Sequence, residues 1–444
     1  MSSIPRVCRA MKQLFEQEAP VLARQCGLRQ RSIPLATLAY VLVLGWWKAP
    51  QSGPSALARF AGTLDVALCK QDLDHHFTER TANWLLALLQ RAVQMLVCAG
   101  TVDLPLLRQF TAVLVEDGSS ISLPSALASV WRGCGGSPAT GGKEPKNEAS
   151  LKITVRWDLL GGRLEGPYLQ EGRSRELSSV LREQEMPKGS LWLADLGYWS
   201  LRYLHWLSQR GVFFLLRLKD GVALWYQGQR VDVLDLLPEA VGAQVDLPVE
   251  LGACQEVKGV RRLSERVPDH VVKKRHQRLY EYAQDHGKAV SQRALDLAQW
   301  TILVTNVPVC MLTFQQALAL MRARWQIELL FKLWKQCALI DEWSGTKPWR
   351  VLCEISAKVL AMVVQHWFVL LSCWDDPHRS LMLVAEGLRE QVPVLVHGLM
   401  KRLPLQRALR LMVARVQANC SIAALSTRPS TSRRLQSAWD PGLT

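Results

Sequence analysis

Residues 111–119 read TAVLVEDGS, an apolar, β-branched run that breaks off at Glu116-Asp117-Gly118. That is the pattern of a buried strand delivering an acid to its C-terminal edge. Residues 191–200, LWLADLGYWS, repeat it: four residues without charge, then Asp195, a glycine, and a helix expected from about Leu201. Either acid alone is an ordinary turn signal. Two of them matter because strand ends in a central sheet are where a fold converges side chains on one point.

Working outward, strands are expected at 151–159, 163–169, 212–218 with Arg217 near its end, and 299–305 (QWTILVT), with a helix near 175–185. The intervening WRGCGGSPATGGKEPKNEAS, residues 131–150, is rich in glycine and polar residues and reads as a surface loop. From 221 to 298 the periodicity weakens into short strand-like pieces at 245–251 and 256–263. These are followed by the basic run VVKKRHQRLYEYAQDHGK at 271–288, and the whole stretch reads as a β-rich unit inserted in the main domain.

Residues 1–105 carry helical patterns near 5–25, 34–47, 55–68 and 78–99, and the chain is helical again from 349 to about 418, with a frayed tail expected over the last 17 or so residues. The apolar stretches 36–47 and 355–374 are too short or too interrupted by Lys358, Gln365 and His366 to span a bilayer, and read as buried helices. The start shows no apolar core of a signal peptide, so a cytoplasmic location is expected. Eleven cysteines without CxxC or Cys/His zinc spacing point to reduced thiols.

The 54 Lys and Arg against 39 Asp and Glu give a net charge of +15, which favours a polyanionic partner without naming it. From residue 379 onward there are ten Lys or Arg against three acids, enough to suggest DNA contact there.

Phe314 to Leu339 is strongly helical in pattern. In MRARWQIELLFKLWK, residues 321–335, Met321, Arg324, Glu328 and Lys335 lie within roughly 60° of one another on a continuous helix. Ile327, Leu330, Phe331 and Trp334 form the adjoining apolar stripe. Glu328 thus becomes a third acid. Three carboxylates without His or Cys suit hard cations, Mg²⁺ or Mn²⁺. Two such ions can activate a water or a 3′-hydroxyl for in-line displacement at a phosphodiester, and basic residues must then hold the phosphates. Arg217, Arg324 and Lys335 are the candidates, with Lys332 as a lesser one.

VEDGSSISLP, WRGCGG, LADLGYWS, WTILVTNVP and MRARWQIELLFKLWK, spanning about 115 to 335, resemble the bacterial insertion-sequence transposases that carry a DDE triad and a Tyr-Arg-Glu-Lys signature. The signature spacing is met at Arg324, Glu328 and Lys335; Met321 stands where the family has Tyr, and its thioether cannot donate the hydroxyl's hydrogen bond. The resemblance implies an α/β fold: a ribonuclease-H-like (retroviral-integrase-like) core at 106–220 and 299–348, interrupted by the β-rich insertion at 221–298. A helical DNA-end-binding domain at 1–105 and a helical C-terminal region at 349–444, used in dimerisation, would flank it. It implies Asp117, Asp195 and Glu328 as catalytic metal ligands for two Mg²⁺ ions, with Mn²⁺ able to substitute. Arg217, Arg324, Lys332 and Lys335 would contact DNA, and Trp300 would stack a base flipped out at the transposon end. The partners would be double-stranded DNA, as terminal inverted repeats and target, and a second copy of the chain in a synaptic complex, with no membrane and a nucleoid-associated location. Two other readings stay open: a catalytically inactive, transposase-derived DNA-binding protein, and a metal-dependent nuclease that does not rejoin strands.

Overall fold

The structure is a computed structural model that describes residues 4–30, 33–95, 100–134, 148–237, 240, 242–419 and 430–440. The protein is mixed α/β. Its strands in chain order are β1 (Val113–Leu123), β2 (Ala149–Asp158), β3 (Leu164–Glu171), β4 (Leu191–Ala194), β5 (Phe213–Arg217), β6 (Leu224–Tyr226), β7 (Gln229–Val231), β8 (Gln244–Leu251), β9 (Val257–Arg266) and β10 (Trp300–Thr305). The chain divides into two compact units, one of residues 1–104, 117–183 and 326–432, the other of 105–116, 184–325 and 433–444.

In the second unit the first residues of β1 pair in parallel with β4, from Val113↔Leu191 to Glu116↔Ala194, and β4 pairs in parallel with β5. Parallel neighbours need a crossover, and helix Leu201–Gln209 supplies it, capped by the Ser200 hydroxyl. Being covered on both faces, these strands are near-continuous apolar runs: Val113–Val115, Leu191–Ala194 and Phe214–Leu216 are buried. Leu114, Trp192, Leu204, Leu207, Phe214 and Leu216 belong to one core cluster. Beyond β5 the pairing turns antiparallel through β10, β9, β8, β6 and β7. There one face meets water, and β8 alternates accordingly, with Gln244, Asp246 and Pro248 exposed between better-covered residues.

In the first unit β2 lies antiparallel to β3, and all ten of its residues are buried. Arg156, buried within it, is paired with Glu165 at 3.1 Å. Helix Pro348–Ser372 runs for 25 residues and packs against helices Glu79–Gln94 and Leu35–Lys48. It is long and apolar enough to cross a membrane, but 94% of its most apolar stretch is buried inside the protein, as expected of a core helix. Trp47 donates its indole N–H to Gln365 Oε1 at 2.8 Å, satisfying two polar groups within that packing.

Several expectations are corrected. β1 does not stop at Asp117 but continues to Leu123, because Ser119-Ser120-Ile121-Ser122-Leu123 alternates with period two, Ile121 and Leu123 buried and Ser120 and Ser122 exposed. Residues 175–185 form two short 3₁₀ turns, Glu176–Ser178 and Val180–Glu183, rather than a helix. The 314–339 stretch is two helices, Phe314–Ala323 and Gln326–Ala338, broken at Arg324-Trp325. Neither glycine nor proline marks that break; it coincides with the boundary between the units, where tertiary context overrides propensity. The stretch 221–298 holds β6–β9 and also helices Asp269–Asp285 and Gln292–Ala298. Residues Thr431–Trp439 are helical, with Leu435 buried, where fraying was expected. Most of the glycine-rich loop, 135–147, and the end of the expected 78–99 helix lie outside the described residues.

Candidate active site

Asp117 is the fifth residue of β1 and half-buried; its Oδ1 accepts from the Gly118 backbone N–H at 2.8 Å. Side chains alternate along a strand, so its neighbour Glu116 projects to the other face, where it is fully buried and accepts from the Trp192 indole at 3.1 Å. Asp195 directly follows β4 and is exposed. It stands at the N-terminus of the turn Leu196–Tyr198, yet its side chain does not cap that turn. Since Glu116 is the register partner of Ala194, Asp117 and Asp195 are the next residues along two neighbouring parallel strands.

Glu328 occupies the first turn of helix Gln326–Ala338, where the helix dipole favours a carboxylate, and it is half-buried. Ile327, Leu330, Phe331 and Trp334 are buried, as the apolar stripe requires. Lys335, seven residues on, lies about 20° from Glu328 around the axis, and its Nζ donates to the Ser120 carbonyl of β1 at 3.2 Å. The face that carries Glu328 is thereby turned toward the second half of β1. Lys332 is exposed. Arg324 is the C-cap residue of the preceding helix and does not share a continuous helical face with Glu328, which corrects the four-residue alignment expected from spacing.

Arg217 closes β5, is exposed, and pairs in register with Leu303 of β10. Trp300 opens β10 opposite Arg266 and is half-buried. Both line one cavity of about 510 Å³, together with Lys219, Arg230, Arg275 and Arg293. Basic groups around an indole suit a ligand that joins phosphate to a planar ring.

The three acids present only oxygen donors, the chemistry that hard divalent ions take. Among the described residues, no three His, Cys, Asp or Glu side chains form a ready cluster for a metal ion.

Some supporting residues were not read from the sequence. Asn306 accepts from the Phe214 N–H at 2.7 Å and donates to the Val212 carbonyl at 3.1 Å and the Ser208 hydroxyl at 3.2 Å, locking β10 to β5. A polar residue just after the apolar run QWTILVT was its one signal. Arg275 and Arg293 sat inside stretches read only as basic or irregular.

The family described as "Transposase DDE domain" matches residues 108–364, more than half of the chain. The chain is 22% identical over 384 residues to the transposase for insertion sequence element IS231B of Bacillus thuringiensis subsp. berliner, covering 81% of this chain and 77% of that protein. It is 24% identical over 370 residues to the IS231C transposase of the same subspecies, covering 77% and 75%. With the IS1151 transposase of Clostridium perfringens it shares 25% identity over 292 residues, 59% of this chain and 58% of that one. Strands β1, β4, β5 and β10 and the helix bearing Glu328 all fall inside the matched region, and the chain belongs to the DDE transposase family: it is a DNA transposase, related to those of insertion sequences.

Proposed function

We propose that this transposase excises its own insertion sequence and inserts it elsewhere by a cut-and-paste route, with Asp117, Asp195 and Glu328 as the catalytic carboxylates. The observation that carries this reading is the register of β1 and β4, in which Glu116 faces Ala194 and each is followed by one of the acids. The three carboxylates would hold two Mg²⁺ ions, or Mn²⁺, which when bound supply Lewis acidity toward a scissile phosphodiester and its attacking hydroxyl. The protein's own groups position the DNA. Arg217, Arg324 and Lys335, with Lys332 at the rim, neutralise phosphates that would otherwise be repelled by the acids. Trp300 offers an indole face on which an unpaired base can stack, offsetting about 1–3 kcal/mol of the unpairing cost; such stacking fits a hairpin intermediate.

The architecture proposed is a ribonuclease-H-like core at 106–220 and 299–348, an insertion at 221–298, an end-binding domain at 1–105 for the terminal inverted repeats, and a C-terminal region at 349–444 that pairs two copies in a synaptic complex. Support comes from the mixed α/β fold and from the family match.

The test uses the element's own ends as substrate. Glu328→Gln and Asp195→Asn should abolish metal-dependent cleavage while end binding stays within severalfold of wild type; unchanged cleavage in either variant would remove that residue from the triad. Wild-type protein that binds but never cleaves in Mn²⁺ would favour the inactive reading, and cleavage without joined products in the presence of target DNA would favour a simple nuclease.

A further inference from the structure

Four arginines, Arg217, Arg230, Arg275 and Arg293, line the cavity between β5, β10 and helix Asp269–Asp285, and they differ in how their charge is met. Arg293 is neutralised twice, by Asp220 at 2.9 Å and by Asp232 at 2.6 Å. Arg217 and Arg275 form no ion pair among the described residues. Arg275 reaches across from the helix to the start of β10, where Nη1 donates to the carbonyls of Ala298 (3.1 Å) and Trp300 (2.7 Å), and Nη2 donates to the Thr301 hydroxyl at 2.9 Å. All three acceptors are neutral. The guanidinium is therefore oriented but uncompensated, half-buried beside a second uncompensated arginine. Burial, and then the nearby Arg217, pull its pKa below the ordinary arginine value. Two like charges held together in a partly covered site repel one another, and an anion between them relieves that cost.

We propose that Arg275 is a further DNA-contacting residue of this transposase: it joins Arg217 in gripping one phosphate of the transposon-end strand, while its bonds to the Trp300 and Ala298 carbonyls hold Trp300 at the mouth of the same cavity. The inference deepens the proposed function, because it rests on Arg217 and Trp300 meeting DNA. It assigns the basic run 271–288 a part in the reaction: the helix supplies a second cation beside Arg217 of β5. A phosphate suits the site because an arginine fork binds its oxygens through parallel N–H donors. The cavity volume of about 510 Å³ leaves room for the attached sugar and base.

The experiment is binding of a duplex bearing the element's own end by the full-length protein, read by fluorescence anisotropy across a salt series. Arg275→Gln is expected to weaken binding about tenfold and to flatten the log–log salt dependence by up to about one unit, because one of the two cations on that phosphate is lost. Arg275→Lys, which keeps a cation, is expected to keep the slope. An Arg275→Gln protein with unchanged melting temperature and a full slope overturns the inference. Should Arg275→Gln fail to fold, Arg217→Gln decides. With Arg275 still present, neutral methylphosphonate at the phosphate that matters most to wild type should still cost this variant severalfold, and indifference to that substitution overturns the inference. A flattened slope in Arg217→Gln beside a full slope in Arg275→Gln rejects Arg275 alone. A full slope in Arg217→Gln instead rejects the phosphate role of Arg217 in the proposed function.

Discussion

Trp192 of β4 donates its indole N–H to Glu116 of β1 at 3.1 Å, and both side chains are wholly buried. The bond spans the two parallel strands one or a few residues ahead of Asp117 and Asp195, so it ties together the segments that present the two acids. Trp192→Phe removes one donor from a buried carboxylate. The cost should be about 1–3 kcal/mol, seen as a melting temperature lower by several degrees. Because Glu116 and Asp117 project to opposite faces, Glu116→Gln should retain cleavage within severalfold, while Asp117→Asn abolishes it. Equal loss in the two variants would contradict a structural role for Glu116.

His366 is buried on helix Pro348–Ser372 among Trp157, Trp374 and the Gly162 carbonyl, which its Nε2 meets at 2.7 Å. A carbonyl only accepts, so Nε2 carries the proton and donates. Desolvation pulls the pKa down to about 4, with Arg379 adding to it and the bond to Gly162 opposing it. A folded pKa below the unfolded one means that the unfolded chain binds the extra proton first. Stability is therefore full above about pH 6.5 and lost as pH falls toward about 4, by about 3 kcal/mol. Denaturant midpoints of wild type and His366→Gln, compared at both ends of that window, should diverge at neutral pH and converge in acid; parallel curves would rule out His366 as the source.

Runs such as LWLA and TAVLV announced their strands because parallel strands buried on both faces need continuous apolar sequence. The Glu328 helix was legible from its apolar stripe. The extension of β1 past Asp117 was missed because Asp-Gly is a turn signal and the weak alternation after it is polar. The helix break at Arg324-Trp325 had no local signal at all, since it lies where the chain passes between units. The cavity beside Trp300 could not be read from spacing, because Arg217 of β5, Trp300 of β10 and Arg275 of helix Asp269–Asp285 are joined only by the pairing of β5 with β10 and by the bonds of Arg275 to residues 298–301.

Gly162 accepts the His366 bond at φ +73°, and a Cβ there would come within 2.6 Å of the Trp374 ring. Gly162→Ala should cost about 2–5 kcal/mol, combining left-handed backbone strain with overpacking. Gly287, at φ +60° with nothing within 4 Å of a built Cβ, isolates the backbone part, and Gly287→Ala should cost only about 1–2 kcal/mol. Equal melting temperatures for the two variants would show that the Trp374 contact relaxes freely.

Lys358 and Glu354 form an ion pair of 2.8 Å with both side chains 1% exposed, one turn apart on helix Pro348–Ser372. Lys358 Nζ also donates to the carbonyls of Leu339 (3.1 Å) and Glu342 (2.8 Å), while Glu354 accepts from the Ser344 N–H at 3.2 Å. The pair thus clasps the segment that leaves helix Gln326–Ala338, the element bearing Glu328. Lys358→Met strands a carboxylate and should cost about 3–5 kcal/mol, whereas Lys358→Met with Glu354→Leu should cost less than the lysine change alone, because the unpaired charge goes with its partner. If the clasp also sets the position of Glu328, the double variant should fold and bind end DNA with wild-type affinity yet cleave it at least tenfold more slowly. Wild-type cleavage in that variant would limit the pair to stability.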